Sequence, residues 1–188
     1  MMMVMETQPI LFVQGAGDMQ HPDGSGRLAA YLASELGDSY RVIAPEMPEA
    51  DTNPHYRPWR DRIDQELDAI DEDVIIVGHS FGGSVVLKCL AEGSHERIQA
   101  LFLISMPNWG PDGWAYEEFA VPNDVGSRLP TSSIFLYHSR HDAEVPFAHL
   151  GYYQEHLPTA TVRAIDGSEH SFLEGLPVLV EDIKSMRR

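Results

Sequence analysis

The chain has 188 residues, of which 13 are Lys or Arg and 29 are Asp or Glu, so its formal net charge at pH 7 is −16. This length suits a single domain over residues 1–188, and 43% hydrophobic with 22% charged residues is a globular composition that argues against wholesale disorder. The negative charge repels nucleic-acid phosphates and anionic lipids, which disfavours both as partners. Cys89 is the only cysteine, which excludes an internal disulfide and a thiolate-rich metal site.

The N-terminal residues lack the basic start and apolar core of a secretory signal, and no apolar run approaches the length of a membrane-spanning helix. With one cysteine and no sign of export, we expect a cytoplasmic protein that does not enter a membrane.

Short apolar segments alternate with segments of helical period along the chain, which is typical of a parallel sheet covered on both faces by helices. The predicted strands are residues 10–14, 41–44, 73–78, 100–105, 133–138 and 161–165. Residues 74–77 have no polar alternation, which predicts a central strand buried on both faces. The pattern therefore indicates an α/β fold, a three-layer α/β/α sandwich with a six-stranded, mainly parallel sheet.

Apolar residues repeat at spacings of three and four over residues 28–36, 59–70 and 176–183, and each stripe predicts a helix that packs on the sheet. Residues 81–92 are apolar nearly all round and predict a buried helix. Residues 107–132 are rich in Pro, Gly and aromatic residues, and we expect a long loop there with one short helix near 114–119. A loop of this length is usually functional, so a small cap over a site is the natural interpretation.

The pentapeptide Gly78-His79-Ser80-Phe81-Gly82 has the G-x-S-x-G pattern and lies where the central strand ends and the buried helix begins. A serine in such a sharp turn needs glycine two residues to either side, because side chains there would collide as strand and helix close together. The turn also places the serine hydroxyl at the positive end of the helix. The alternative is an ordinary strand-to-helix turn that uses glycine for tightness.

A serine hydroxyl needs a base and a group that orients the base. Asp142 follows the fifth predicted strand and His170 follows the sixth, so both should lie at the same edge of the sheet as Ser80. Asp166 and Glu144 are rival acids for His170.

With these residues the chain resembles the α/β-hydrolase superfamily. Its small size makes it similar to the compact serine hydrolases related to the retinoblastoma-binding serine hydrolase. The resemblance runs from residue 10 to about residue 183, and rests on the Gly78 to Gly83 segment, on Asp142 and on the turn from Gly167 to Phe172. It implies a minimal fold without a separate cap domain, with Ser80 as nucleophile, His170 as general base and Asp142 as its orienting carboxylate.

The same resemblance implies an oxyanion hole made of two backbone N–H groups, that of Phe81 and one from the loop after the first strand, which we assign to Ala16. In a sheet ordered 2-1-3-4-5-6 the switch point lies between strands 1 and 3, whose ends carry this loop and Ser80. The loop contains Gly15 and Gly17 but lacks the third glycine of a dinucleotide-binding motif, so we expect no cofactor. Gln14 stands where the family often has histidine.

Nine histidines raise the question of a metal site, with His138, His141, Asp142 and His149 as the densest group. His141 and His149 are eight residues apart, which is poor spacing for one ion, so we predict no metal. His79 is expected to shape the turn rather than transfer protons.

Met106, Trp109 and Trp114 are candidates for an apolar substrate pocket, together with other aromatic residues of the long loop. Equally, these aromatics could simply attach the loop to the domain.

The sequence therefore predicts a serine hydrolase, most specifically a carboxylesterase for small neutral or apolar esters that forms an acyl-enzyme. Thioester, lactone, amide or peptide cleavage and cofactor-free perhydrolase or lyase chemistry use the same three residues. The alternative from another class is a non-catalytic module that binds a protein partner, because fold alone does not establish activity.

Overall fold

The computed structural model describes residues 7–187 of the chain. The strands are β1 Gln8–Val13, β2 Tyr40–Ile43, β3 Val74–His79, β4 Ile98–Ile104, β5 Ile134–Ser139 and β6 Thr161–Ile165. The α-helices are α1 Gly26–Leu36, α2 Tyr56–Asp68, α3 Phe81–Glu92, α4 Val125–Arg128, α5 Ala148–His156 and α6 Pro177–Ser185, and short 3-10 turns cover Gly37–Ser39 and Glu117–Phe119.

The six strands form one sheet in the order β2-β1-β3-β4-β5-β6, and every neighbouring pair is parallel. This confirms the predicted α/β fold, its strand order and the switch point between β1 and β3. The position of β3 near the middle of the sheet, with all six of its residues buried, confirms the interpretation of the unbroken apolar run.

Helices cover both faces of the sheet, and successive residues of each strand point to opposite layers. In β1, Leu11 and Val13 belong to the core shared with α2, α3 and α5, whereas Ile10 and Phe12 belong to the core shared with α1 and α6. This alternation follows from the two-residue repeat of a strand. The site at the carboxyl ends of the strands is therefore supported by two packed layers.

Predicted and observed elements differ mostly at their ends. The bounds of β6 and α3 agree with the prediction, and the other strands differ from it by one or two residues. Helix α5 has no counterpart in the prediction because it buries only Leu150 and Tyr153, too few residues to form a clear apolar stripe.

Residues 107–132 form no separate cap domain. The first part is a loop pinned by a bridge between Trp109 and Trp114, and the short helix predicted near 114–119 is only the 3-10 turn Glu117–Phe119. The small helix α4 follows it. Within residues 7–187, no helix is long and apolar enough to cross a membrane.

Replacing Gly82 by alanine tests how closely α3 approaches β1. A Cβ atom at Gly82 would lie 2.0 Å from the carbonyl oxygen of Gln14 and 2.7 Å from that of Val13, and neither backbone atom can rotate away. We predict that Gly82→Ala lowers the free energy of unfolding by about 3 kcal/mol or more in urea denaturation. The control is Gly151→Ala in α5, where a Cβ atom meets nothing within 4 Å. Alanine there should raise the free energy of unfolding, by at most about 1 kcal/mol. Wild-type stability of Gly82→Ala would contradict the prediction.

Candidate active site

Ser80 lies in a sharp turn between β3 and α3. Its backbone has φ 51° and ψ −125°, a conformation that is strained for a residue with a side chain. The turn is held because Ser80 N–H donates to Ile104 O at 2.7 Å. It closes only because glycines flank it, since a Cβ atom on Gly78 would lie 2.7 Å from the Cα atom of Gly83. The serine is thus presented at the tip of β3, directly before the first turn of α3.

The side chains of Ser80, His170 and Asp142 form one continuous chain of hydrogen bonds. His170 Nε2 lies 2.9 Å from Ser80 Oγ, and His170 Nδ1 lies 2.9 Å and 3.1 Å from the two carboxylate oxygens of Asp142. The carboxylate is fully buried and the imidazole nearly so. Three side chains separated by up to 90 residues therefore meet as a nucleophile, a base and an orienting acid would.

Asp142 is held as a carboxylate. Burial acts to raise its pKa, but the hydrogen bond with His170 and those from the Val145 and Glu144 N–H groups outweigh burial, and the pKa lies below its usual value. Both N–H groups donate to Oδ1 at 2.8 Å. A buried, ionised carboxylate fixes the proton of His170 on Nδ1, which leaves Nε2 free to accept the Ser80 proton.

The two rival acids lie elsewhere. Asp166 is almost fully exposed and pairs with Arg140 at 3.1 Å. Glu144 Oε2 lies 3.7 Å from His170 Nε2, on the side of the imidazole that faces Ser80 rather than Asp142, and the Glu144 side chain is 66% exposed. The carboxylate in contact with Nδ1 is therefore that of Asp142.

The loop after β1 places backbone N–H groups beside Ser80. Gly15 N–H donates to Ser25 Oγ at 2.8 Å and Gly17 N–H donates to Ala50 O at 2.6 Å. In the part of the chain that the structure describes, the N–H group of Ala16 between them has no partner, and Ala16 lines the same cleft as Ser80 and Phe81. Phe81 is the first residue of α3, where an N–H group has no acceptor within the helix.

Gln14 takes a structural part in this loop that the sequence did not reveal. Its buried side chain donates from Nε2 to Gly17 O at 2.8 Å, and its Oε1 accepts from Met47 N–H at 3.1 Å. The amide thus spans the loop and ties it to the segment after β2.

His79 connects the same loop to the loop that carries His170. The carbonyl oxygen of His170 can only accept, so His79 Nε2 donates to it at 2.9 Å. His79 Nδ1 then accepts from the Ser25 hydroxyl at 2.8 Å, and Ser25 Oγ accepts in turn from Gly15 N–H. Burial, and secondarily the nearby His170 imidazole, lowers the pKa of His79 to about 4. His79 is therefore neutral at pH 7 and has a positioning role, as the sequence suggested.

Two further serines hold the His170 loop. Ser105 Oγ donates to His170 O at 3.1 Å, and Ser139 Oγ donates to Glu169 O at 2.5 Å. Sequence reasoning did not find Ser25, Ser105 or Ser139, because their partners lie far along the chain and are mostly backbone atoms. The one available signal is that each of them lies at or just beyond an element end near the site.

A cleft of about 550 Å³ opens beside Ser80 and His170. Trp109 and Trp114 line it, together with Phe81, Tyr116 and Phe119. Met106 does not line this cleft. It is buried against Gly83 and borders a separate void of about 10 Å³, so Met106, the second residue after β4, points into the core.

The histidines of the densest group have other partners. His138 Nε2 donates to Val145 O at 2.8 Å, and His149 Nδ1 accepts from Asn108 N–H at 2.8 Å. Both bonds occupy a nitrogen that a metal would need.

A different trio has metal-ligand spacing. One ligand atom each of Asp64, Cys89 and His95 lies within 4.8 Å of the others, and within residues 7–187 these form the one such group. Asp64 already accepts from His95 and Cys89 and lies 3.6 Å from Arg60. Burial and the Asp64 carboxylate raise the pKa of the Cys89 thiol, which opposes the thiolate that a metal needs. Asp64, Cys89 and His95 therefore form a hydrogen-bonded cluster in which each side chain already has a partner.

Comparison with known proteins agrees with this geometry. The sequence matches the alpha/beta hydrolase family over residues 10–183. The chain belongs to this family. No match was found among curated protein sequences.

Several solved structures have the same fold. The ydeN gene product from B. subtilis aligns with a TM-score of 0.78 and 17% identity, over 96% of this chain and 99% of that one. The 2-hydroxy-6-oxo-6-phenylhexa-2,4-dienoate hydrolase from a Rhodococcus strain gives 0.76 and 18%, over 96% and 92%. Est1E from Butyrivibrio proteoclasticus gives 0.69 and 16%, over 97% and 87%. At these identities the similarity concerns the fold.

The low pKa of His79 predicts a loss of stability in acid. The pKa is about 4 in the folded protein against about 6.5 for an exposed histidine. Between these pH values the unfolded chain binds the extra proton, so stability falls as the pH falls. This residue should account for about 3 kcal/mol of the free energy of unfolding lost between about pH 7 and about pH 4.

Urea denaturation across this pH range checks the prediction. His79→Gln keeps a donor and an acceptor but does not titrate, so its stability should fall less steeply in acid than that of the wild type. The exposed His141 provides the control, and His141→Gln should follow the wild-type curve. Parallel curves for His79→Gln and the wild type would show that His79 does not carry the effect.

Proposed function

We propose that this α/β hydrolase is a serine hydrolase, and more specifically a carboxylesterase that acts on small neutral or apolar esters through an acyl-enzyme intermediate. The observation that supports this proposal is the unbroken series of contacts from Ser80 Oγ through the His170 imidazole to the buried carboxylate of Asp142. We propose the cytoplasm as its site of action, because a chain with one cysteine needs no oxidising compartment.

In the first half of the proposed reaction, Ser80 Oγ attacks the ester carbonyl carbon and its proton passes to His170 Nε2. The carbonyl oxygen becomes an oxyanion that accepts from the N–H groups of Phe81 and Ala16, and Asp142 stabilises the imidazolium. The ester C–O bond then breaks, and the alcohol leaves with the proton from His170. Ser80 is left acylated.

In the second half, water loses a proton to His170 Nε2 and attacks the acyl carbon. The bond to Ser80 Oγ breaks, Ser80 regains the proton and the carboxylic acid is released. These steps need no cofactor, because every proton is taken up and returned by His170.

The cleft supports a small substrate without a carboxylate group. Its volume of about 550 Å³ lies within the range of pockets that bind small molecules. The dienoate for which the Rhodococcus hydrolase is named is an anion. The cleft of this chain has no Lys or Arg among its lining residues to pair with one.

Within the family, we propose a relation to the compact serine hydrolases that include the retinoblastoma-binding serine hydrolase. The support is the segment from Gly78 to Gly83 and the lack of a separate cap domain.

The proposal predicts that activity depends on the Ser80 hydroxyl. Ser80→Ala should lower kcat/KM for p-nitrophenyl acetate by roughly 10⁴–10⁶-fold, the scale of losing a nucleophile. A fluorophosphonate probe should label the wild type at Ser80 and leave Ser80→Ala unlabelled. Ser94→Ala, at an exposed serine, is the control and should behave as the wild type. Equal hydrolysis by Ser80→Ala and the wild type, or no labelling of native protein, would favour a non-catalytic interaction module.

The choice of orienting acid is tested separately. Asp142→Asn should lower kcat by about 10³–10⁴-fold, because an amide NH₂ group facing Nδ1 favours the wrong imidazole tautomer and an uncharged amide does not stabilise the imidazolium. Asp166→Asn, which removes an exposed carboxylate paired with Arg140, should change kcat by less than about twofold. The reverse order of these effects would assign the role to Asp166.

A further inference from the structure

The charged side chains that line the cleft are all acidic. Asp23, Glu118 and Glu144 contribute carboxylates, and within the lining, all of which the structure describes, there is neither Lys nor Arg. Lys88 is near but is already engaged, because its Nζ donates to Glu118 O at 2.6 Å and lies over the Tyr56 ring at 4.4 Å. The lining therefore presents Asp and Glu but neither Lys nor Arg to a substrate that enters the cleft.

The carboxylate of Glu118 has hydrogen-bond partners on two sides. It accepts from Tyr56 N–H at 3.3 Å and contacts His55 Nδ1 at 3.2 Å. His55 Nε2 lies 3.0 Å from the amide nitrogen of Asn53. A neutral imidazole satisfies both contacts, since Nδ1–H donates to Glu118 while Nε2 accepts from Asn53. Glu118 is thus oriented by hydrogen bonds from Tyr56 and His55.

Aromatic rings surround the same end of the cleft. Trp109 contacts Trp114, Phe119 and Phe81 at centroid distances of 5.5, 5.1 and 5.9 Å, mostly edge to face. In the described chain the two exposed large hydrophobic residues are Trp114 and Tyr116, and both line this cleft. Exposed aromatic surface is costly in water, so it marks a place where a ligand could bind. Its electron-rich ring faces attract organic cations.

The second carboxylate lies at the reacting end. Glu144 Oε2 is 3.7 Å from His170 Nε2 and the side chain is largely exposed. Ser80, Glu118 and Glu144 line one cleft, so a substrate bound at Ser80 shares that cleft with both carboxylates. A carboxylate on the substrate would be repelled at both places, whereas an ammonium group would be attracted.

We propose that the cleft is selective for esters that carry an organic cation, a quaternary or primary ammonium group, over neutral esters of the same shape, and that it rejects anionic esters. This inference rests on the proposed serine hydrolase activity and changes its preferred substrates: neutral esters are hydrolysed, and cationic esters are hydrolysed more efficiently. In the reaction of a choline ester, Ser80 Oγ bonds to the carbonyl carbon, the ester C–O bond breaks and choline leaves with the proton from His170.

Three acetate esters test the selectivity. Acetylcholine and 3,3-dimethylbutyl acetate have nearly the same shape and differ by one positive charge, and 4-acetoxybutanoate carries a negative charge. We expect kcat/KM for acetylcholine to exceed that for the neutral ester by roughly tenfold, equivalent to about 1.4 kcal/mol, and to do so mainly through KM. The anionic ester should be poorer than the neutral one by a similar factor.

The source of the preference is tested with matched variants. Glu118→Gln should reduce the ratio of kcat/KM for the cationic and neutral esters by about threefold or more, whereas Glu117→Gln changes the adjacent exposed residue outside the lining and should keep the wild-type ratio. Raising the ionic strength from about 0.01 M to about 1 M shortens the screening length from about 30 Å to about 3 Å and should also reduce the ratio.

Binding of the cation can also be measured without hydrolysis, as protection of Ser80 from the fluorophosphonate probe. Choline should slow fluorophosphonate labelling of Ser80 at a concentration roughly tenfold lower than its neutral analogue 3,3-dimethylbutan-1-ol. Hydrolysis of the neutral ester without a preference for the cationic one would overturn this inference and leave the serine hydrolase intact. Failure to hydrolyse any ester and to label Ser80 would overturn both.

Discussion

The turn at Ser80 is the constraint on which the rest of the site depends. A residue with a side chain is held at φ 51°, and the backbone beyond it enters α3 at once. The turn fits only because Gly82 brings α3 within contact of the Gln14 carbonyl, where no Cβ atom could stand. The parallel pairing of β1 with β3 puts the ends of these strands side by side, and the close approach at Gly82 packs the start of α3 against them. The proposed nucleophile, the first N–H of α3 and the loop with Ala16 are therefore neighbours.

Buried polar contacts then fix the loops around this turn. The carbonyl of His170 accepts from His79 and Ser105, so the backbone of that residue is held independently of what its imidazole does. The imidazole is left to contact Ser80 on one side and Asp142 on the other. A neutral His79 suits this arrangement, because a charged imidazole in that buried position would carry a proton on Nδ1 and leave the Ser25 hydroxyl proton without its acceptor. The network therefore links positioning to the protonation state of a residue that carries out no proton transfer.

Much of the fold and the central part of the site could be predicted from the sequence, because both follow from local rules. An unbroken apolar run indicates a central strand, a glycine-flanked serine indicates the turn, and Asp142 and His170 each follow a strand of a parallel sheet. The remaining features depend on distant partners. Helix α5 fully buries only two residues, Met106 turns into the core because Gly83 leaves room for it, and Gln14 acts through Gly17 and Met47. None of these contacts has a local sequence pattern.

Two sets of charges affect the site: the net charge of the whole chain and the carboxylates that line the cleft. A net charge of −16 affects the approach of charged molecules, but at physiological ionic strength its effect decays over about 8 Å. It therefore changes how often an ion arrives more than how tightly it is held. Discrimination after arrival must come from groups within that distance, and Glu118 and Glu144 are such groups because they line the cleft itself. Glu144 lies beside His170, and Glu118 lines the same cleft next to Phe119, so a molecule bound there meets two carboxylates. Shape and apolar contact can then position the ester bond, while charge decides which molecules with that shape enter.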